Sequence, residues 1–216
     1  MAIYNPSVFK VNTIEEAKKI ILTDEDNTST KTRWEKETPV LASIIANEWS
    51  SVEGKTIVDY GCGIGRMSKA LCEMGAFMVG VDMSPEMRKL AIEYVGNKNF
   101  IALSPEQFSI IVNGGFKCDG ALAIWVLQHC LKPQEDIDLI KKSLNGGLMV
   151  MNNDSHLGRA VPVLIDGNKI NKWYNDGIDL WKLLDDAFVY SKEYDVEPSL
   201  IGLKENYYRC VFYNCK

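Results

Sequence analysis

The stretch Ile57-Val58-Asp59-Tyr60-Gly61-Cys62-Gly63-Ile64-Gly65-Arg66 decides the fold of this chain. A short apolar strand ends in an aspartate and runs into three glycines at alternate positions, after which a helix begins. Glycine allows a tight turn and lets a ligand approach without meeting a Cβ. The free N–H groups at the helix start favour a carboxylate or a phosphate. The stretch therefore predicts a strand, a ligand-binding turn and a helix, for a dinucleotide or another nucleoside cofactor.

The spacing of the glycines distinguishes between these ligands. The dinucleotide fingerprint has glycines at its first, third and sixth positions. Counted from Gly61, the sixth position is Arg66, and the third glycine comes one residue early at Gly65. Asp82 lies 21 residues after Gly61, at the end of the next predicted strand. An acid there accepts hydrogen bonds from both ribose hydroxyls, although an isolated aspartate at this point also suits a helix cap.

Beyond this stretch, short apolar runs alternate with amphipathic segments. Helices are predicted over about Ile64–Gly75, from the cap Ser84 onwards, and over about Gln134–Leu144, with a glycine turn at 146–147 after the last of them. Such runs predict a parallel sheet that is covered on both faces. The predicted strands are Thr56–Tyr60, Phe77–Val81, Asn99–Ala102, Gly120–Val126 and Leu148–Asn152, with an antiparallel pair, Phe188–Val196 and Tyr207–Tyr213, at one edge.

The first fifty residues predict helices that precede the sheet. Thr13 and Glu16 form a capping-box pattern that starts a helix through about Leu22. The polar segment Thr23–Thr32 predicts a loop, and the apolar spacing over Glu37–Trp49 predicts a second helix. We therefore expect one domain over residues 1–216: a helical cap (1–52), a cofactor-binding core (53–154), a lid (155–178), and a C-terminal helix with a β-hairpin (179–216).

Composition narrows the classes of function. The 216 residues carry 46% hydrophobic and 25% charged residues, which is ordinary for one soluble globular domain. The net charge of −5 argues against a surface that grips nucleic acid. Six cysteines without CxxC spacing and only two histidines argue against a structural metal site. Without a leader-like start or a membrane-length apolar run, the sequence predicts a cytoplasmic protein with no membrane partner.

Four ordered segments carry a resemblance to a known family. Residues 59–65, 80–87, 118–129 and 144–150 resemble, in that order, the glycine motif, the acidic ribose motif, the fourth-strand motif and the turn into the fifth strand of class I S-adenosylmethionine-dependent methyltransferases. The resemblance covers roughly Lys55–Asn153. It implies a three-layer, Rossmann-like α/β sandwich with a mostly parallel seven-stranded sheet whose last strand is antiparallel. It also implies S-adenosylmethionine as the cofactor and S-adenosylhomocysteine as the product.

The resemblance also assigns residues to parts of the cofactor. Asp59 and the turn Gly61-Cys62-Gly63 would hold its methionine end, Asp82 its ribose and Met83 its adenine, while the carbonyl of Ala123 would meet its amino group. Arg33 or Trp34 would close over its carboxylate. Many family members have an aspartate after the third strand for the adenine amino group, whereas this chain has Ser104-Pro105-Glu106. Either Ser104 or Glu106 then replaces that contact, or the affinity for the cofactor is lower.

The sequence carries fewer signals for the methyl acceptor than for the cofactor. Methyl transfer from a sulfonium needs positioning more than acid–base help, so a base is required only for some acceptors. His129, Asp154 and His156 are candidate bases because they follow predicted strands at the ligand-binding edge. We expect a small-molecule acceptor. The alternatives are a non-catalytic S-adenosylmethionine-binding protein or degenerate methyltransferase that acts through a partner, and a nucleotide-dependent oxidoreductase, against which the early third glycine counts.

Overall fold

The computed structural model describes residues 3–4, 6–24, 28–154, 160–165, 168–175, 178–201 and 208–216. The strands in these ranges are β1 (Ile3–Tyr4), β2 (Thr56–Tyr60), β3 (Phe77–Val81), β4 (Phe100–Leu103), β5 (Cys118–Ile124), β6 (Leu144–Asn153), β7 (Ala160–Ile165), β8 (Asn168–Asn175), β9 (Val189–Glu193) and β10 (Tyr208–Asn214). The helices are α1 (Ile14–Ile21), α2 (Thr30–Glu48), α3 (Arg66–Glu73), α4 (Pro85–Val95), α5 (Pro105–Asn113), α6 (Pro133–Ser143), α7 (Leu180–Ala187) and α8 (Pro198–Ile201), with short 3-10 turns at Pro6–Phe9 and Leu127–His129. Within this described part of the chain, no helix is long and apolar enough to cross a membrane.

Seven strands form the central sheet, in the order β4-β3-β2-β5-β6-β10-β9. The neighbouring strands from β4 to β6 run parallel. The last strand, β10, is antiparallel to both β6 and β9. The predicted sheet, including its antiparallel last strand and the pair at one edge, is confirmed. The order reverses between β2 and β5, which is where ligands bind in open α/β sheets.

Helices cover both faces of the sheet, as the unbroken apolar strands predict. On one face α5, α6 and α7 bury Phe108, Ile137 and Leu184 against the strands. On the other face α2, α3 and α4 bury residues such as Ile45 and Leu71. A smaller cluster joins α1 to Ile64 of the glycine turn and to α4. The carboxyl ends of β2, β3, β5 and β6 therefore meet at one edge of a three-layer sandwich.

The second helix starts seven residues before its predicted beginning, at Thr30 in place of Glu37. Ser29 caps it, because the Ser29 side chain accepts a hydrogen bond from the Thr32 amide at 3.2 Å. Pro39 lies inside the helix, which shows that packing outweighs a local breaker here. The predicted loop over Thr23–Thr32 therefore ends at Ser29.

The pair Gly146-Gly147 belongs to β6 and not to a turn before it, so this prediction was wrong. Both glycines are required by close packing. A Cβ on Gly147 would lie 2.1 Å from the Phe212 ring, and one on Gly146 would lie 2.0 Å from the Asp119 carbonyl oxygen. The sequence pattern did not predict α5, although Ser104 and Gln107 form a complete capping box at its start.

A second, three-stranded sheet has the order β1-β7-β8, with antiparallel pairs throughout. It links the N-terminal strand to the segment that the sequence analysis assigns as a lid. Part of that segment, including residues 155–159, lies outside the described residues, so the lid and the four-part division of the chain stay predictions.

Candidate active site

Asp59 is the last residue but one of β2, and it is buried. Its Oδ2 atom accepts hydrogen bonds from the Ser68 hydroxyl at 2.7 Å and from the Ser68 amide at 3.2 Å. Burial raises the pKa of Asp59 to about 6, and the hydroxyl of Ser68 and the charge of Arg66 oppose this rise. Asp59 therefore holds the start of α3 against the end of β2, directly beneath the glycine turn.

The raised pKa gives a test of this burial. Folding favours the protonated Asp59, so its contribution to stability is present below the unfolded pKa near 4 and is lost as the pH rises through about 6. We expect Asp59→Asn to gain stability relative to the wild type by up to ~3 kcal/mol between pH 4 and pH 7. Urea unfolding of both proteins across this range measures the difference. A gain that is constant or shrinks with rising pH would contradict the assignment.

The glycine turn adopts the left-handed backbone that its sequence predicts. Gly61 and Gly63 have φ values of 73° and 55°, which disfavour residues with a side chain. Because these glycines have no Cβ atom, other side chains of the protein can pack closely against them. A Cβ on Gly61 would lie 2.1 Å from Val126, and one on Gly63 would lie 2.6 Å from Ile21 of α1. The turn is thus fixed by Val126, two residues after β5, and by α1, while the assignment of Gly61, Cys62 and Gly63 to a cofactor stays a prediction.

Asp82 reaches from the end of β3 to the glycine turn. Its two carboxylate oxygens accept the amides of Gly63 at 2.9 Å and Ser84 at 2.8 Å. A carboxylate has about four lone-pair directions, so each oxygen can accept another bond. Burial raises the pKa of Asp82, and the two amide bonds oppose this rise. Asp82 as a residue is only partly buried, and its fixed carboxylate lies beside the turn with acceptor directions left over.

The other residues predicted to contact the cofactor lie at the same edge of the sheet. Met83 follows Asp82 and has 48% of its surface exposed, as an adenine-contacting side chain requires. Ala123 is fully buried and is the last residue but one of β5. Cys62 is buried between the two glycines, and burial raises the pKa of its thiol, so it is a poor nucleophile.

Ser104 has a structural role that accounts for its presence. It caps α5, since its hydroxyl accepts the Gln107 amide at 3.2 Å and its own amide donates to Gln107 Oε1 at 2.8 Å. Pro105 and Glu106 begin the helix and line a groove of about 580 Å³ between α5 and α6, which also contains Tyr60. The contact of these three residues with adenine stays a prediction.

Arg33 and Trp34, the two candidates for closing over the cofactor carboxylate, have side chains that lie in different places. Trp34 donates from Nε1 to the Tyr94 hydroxyl at 2.8 Å and so packs towards α4. Arg33 is buried, with its guanidinium 6.0 Å from the Trp125 ring at the end of β5. Of the two, only Arg33 is placed beside a strand end of the central sheet.

Arg33 belongs to a buried charge cluster that no sequence pattern predicts. The fully buried Glu37 pairs with Arg33 and with Arg66, each at 3.1 Å. Its other neighbour is Trp125, whose indole Nε1 lies 3.3 Å from Glu37 Oε1. Trp125 has a φ of 58°, which is rare for a bulky residue. The cluster therefore ties α2 to the helix after the glycine turn and to a strained position after β5.

His129 lies after β5 in a defined hydrogen-bond chain. Gln128 Oε1 accepts the Asn153 amide at 2.7 Å, which fixes the orientation of the Gln128 side chain. Gln128 Nε2 is then the donor to His129 Nε2 at 3.2 Å. With this orientation of Gln128, the Nε2 atom of the His129 ring is the acceptor of the bond. Because the hydrogen bond from Gln128 occupies the lone pair of His129 Nε2, His129 is less suited to act as a general base.

Of the two remaining candidate bases, the structure describes only one. Asp154 is half-buried immediately after β6, and His156 lies outside the described residues. Their catalytic role stays a prediction. Across the described ranges there is no cluster of three or more histidine, cysteine, aspartate or glutamate side chains that could hold a metal ion.

These features together define a Rossmann-like nucleoside-binding protein, with a left-handed glycine turn after the first central strand and an acid after the second. The family described as "Methyltransferase domain" matches residues 33–182, which is more than half of the chain. The chain belongs to this methyltransferase domain family, and the family resemblance seen in the sequence is confirmed.

Relatives of known name are distant. The ubiquinone biosynthesis O-methyltransferase of Glaesserella parasuis serovar 5 is 23% identical over 137 residues, which are 60% of this chain and 58% of that protein. The chain thus spans somewhat more than half of the length of this relative.

Solved methyltransferase structures share the fold. Magnesium protoporphyrin IX methyltransferase from Synechocystis PCC 6803, with bound SAH, matches with a TM-score of 0.65 at 16% identity, covering 95% of this chain and 96% of that one. The 1,6-didemethyltoxoflavin-N1-methyltransferase of Burkholderia thailandensis matches with a TM-score of 0.60 at 19% identity, covering 83% and 78%.

Proposed function

We propose that this protein is an S-adenosylmethionine-dependent methyltransferase that acts on a small-molecule acceptor. The observation that carries the proposal is the Asp82 carboxylate, fixed by the Gly63 and Ser84 amides and still able to accept hydrogen bonds. Membership of the methyltransferase domain family supports it. The names of the similar proteins refer to ubiquinone biosynthesis, to magnesium protoporphyrin IX and to 1,6-didemethyltoxoflavin, and these names support a small molecule as the acceptor.

The residues present fit this cofactor. Asp82 would accept the ribose hydroxyls, the exposed Met83 would cover the adenine, and the glycine turn would hold the methionine end. The ionised Asp59 beneath the turn favours a positive charge nearby. When bound, the cofactor supplies an activated methyl group on a sulfonium centre. The chain then has to hold the acceptor in line and exclude water, and we expect Trp125 and the ends of β5 and β6 to do so.

The first test is thermal unfolding with and without ligands. A ligand that binds only the folded state raises its stability by ~2.7 kcal/mol at 100 times its Kd, or about 5–10 °C for a chain of this size. We expect this rise with saturating S-adenosylmethionine and with S-adenosylhomocysteine, and none with NADH. No rise with either sulfur ligand would contradict the proposal, and a rise with NADH alone would favour an oxidoreductase.

A non-catalytic cofactor-binding protein is the second candidate. It is favoured by the Gln128 bond to His129, which leaves the described part of the site without a clearly poised base. Transfer of a labelled methyl group to any small molecule, lost in Asp82→Ala, would exclude it. The cytoplasmic location stays a prediction.

A further inference from the structure

Asn152 is buried without hydrogen-bond partners. Its side chain is fully buried, and neither its amide nitrogen nor its amide oxygen has a partner. Among the side chains of the described residues, only Thr28 Oγ1 and Trp49 Nε1 share this state. Among these three residues, Asn152 is the one with two separate polar atoms, the amide nitrogen and the amide oxygen, that both lack a partner. Such groups are costly and are rare in folded proteins, so this amide calls for a function.

The backbone next to Asn152 is firmly held. The amide of Asn153 donates to Gln128 Oε1 at 2.7 Å, and the carbonyl of Asn153 accepts from Trp181 Nε1 at 2.8 Å. The amide of Trp125 donates to the Met151 carbonyl at 2.6 Å on the preceding side. The unused amide is therefore presented by a rigid strand end, as a preorganised binding group requires.

Asn152 lies near the end of a central strand of the sheet. It is the last residue but one of β6, at the edge of the sheet where ligands bind. Leu148 and Val150 on the same strand pack towards α7, so by alternation Asn152 faces the same side. Its neighbour Gln128 connects that edge to His129.

The charges around Asn152 indicate the kind of group it binds. Its partner in the register of β10 is Arg209, whose guanidinium makes two bonds to Glu193, at 3.0 and 2.8 Å, and lies 4.7 Å from the Trp181 ring. That cation is already neutralised. A primary amide both donates and accepts, and so does a hydroxyl, whereas a carboxylate only accepts and an ammonium only donates. Either charged group would therefore leave one half of the amide without a partner.

We propose that Asn152 binds a neutral hydroxyl of the methyl acceptor and so selects hydroxyl-bearing acceptors over charged or purely apolar ones. The inference rests on the proposed function, because it needs a methyl acceptor at this edge. It adds Asn152 as a residue that determines specificity, whereas Gln128 and Trp181 position the strand end that carries it.

The test compares Asn152→Leu with Gln128→Leu, since one removes an unused amide and the other a bonded one. Three fluorinated probes of similar size are titrated into each protein with saturating S-adenosylhomocysteine, by fluorine NMR: 4-fluorophenol, 4-fluorobenzoate and 4-fluorotoluene. We expect the wild type to bind the phenol at least about tenfold more tightly than the toluene and the benzoate. In Asn152→Leu this preference for the phenol is lost, while the affinity for S-adenosylhomocysteine stays within about twofold.

Stability gives a readout that needs no acceptor. Removing an unused buried amide should raise the melting midpoint of Asn152→Leu by about 2–4 °C, whereas Gln128→Leu should lower it, because the Asn153 amide loses its partner. A lower midpoint with an unchanged preference for the phenol would show a purely structural amide and overturn the inference. A wild type that binds S-adenosylhomocysteine without preferring the phenol would overturn it too. Failure to bind S-adenosylhomocysteine would instead contradict the proposed function.

Discussion

Asp82→Ala is expected to lower the affinity for S-adenosylhomocysteine at least about 100-fold. A hydrogen bond to a charged group contributes about 1.5–3 kcal/mol, and the ribose diol offers two such bonds to this carboxylate. Their loss together corresponds to a factor of about 100 or more in Kd. The size of the effect follows from the fixed position of Asp82, since the Gly63 and Ser84 amides orient both of its oxygens before any ligand arrives.

The same two bonds make a simple alanine variant ambiguous, because the Gly63 and Ser84 amides lose their acceptor and the turn can loosen. Asp82→Asn keeps the shape and one acceptor oxygen, so it should bind S-adenosylhomocysteine with an affinity between those of the wild type and Asp82→Ala. Asp195→Ala, at an exposed position, is the control for removing an acid elsewhere. Calorimetric titration gives the affinities, and thermal unfolding without ligand reports any loosening of the turn.

A wild type that binds S-adenosylhomocysteine and an Asp82→Ala variant that binds it within about threefold would remove Asp82 from the site. The family would still be shown, because membership rests on residues 33–182 as a whole. The assignment of the glycine turn as the cofactor site would then need support from another residue.

The sequence predicted those features that depend on neighbouring residues. Asp59 and Asp82 end short apolar runs, and the positive φ values of the turn follow from its glycines. The helix N-cap at Ser84 was likewise predictable from the sequence. Its hydroxyl accepts a hydrogen bond from the Met87 amide three residues later. The mostly parallel sheet was also predictable, because strands that alternate with helices leave few ways to connect the chain.

Features that depend on distant contacts were not predictable. Gly146 and Gly147 look like a turn in the sequence, yet they are glycines because Asp119 and Phe212 approach the strand from elsewhere. The hydrogen bond between Gln128 and Asn153 spans 25 residues. No local pattern separates such an amide from a surface one, so Gln128 and Asn152 carry no signal in a single sequence.

Glu37 shows the same limit and gives the largest expected effect on stability. In the sequence it is one acid in a polar helix start, whereas in the structure it is fully buried between Arg33 and Arg66. Its removal leaves two guanidinium groups, both almost completely buried, without their shared partner. Breaking a buried ion pair from one side costs about 3–5 kcal/mol, and we expect Glu37→Ala to lose this much free energy of unfolding.

Glu35→Ala is the matched control on the same helix. Glu35 pairs with Lys31 at 3.9 Å, and the side chains of Lys31 and Glu35 are 82% and 64% exposed. An exposed pair of this kind contributes about 0.5 kcal/mol or less. Urea unfolding of the two variants should therefore separate a large loss from almost none. A loss below about 1 kcal/mol in Glu37→Ala would mean that the two arginines find other partners.

A triple variant, Arg33→Met with Glu37→Leu and Arg66→Met, separates stability from function. Replacing a whole buried ion cluster by apolar residues is often neutral or stabilising, so this variant should recover most of the stability that Glu37→Ala loses. If Arg33 closes over the cofactor carboxylate, as the family resemblance implies, the recovered protein should still bind S-adenosylhomocysteine more weakly than the wild type. A stable triple variant with unchanged affinity would instead make the cluster a packing device that joins α2 to α3, with no part in holding the ligand.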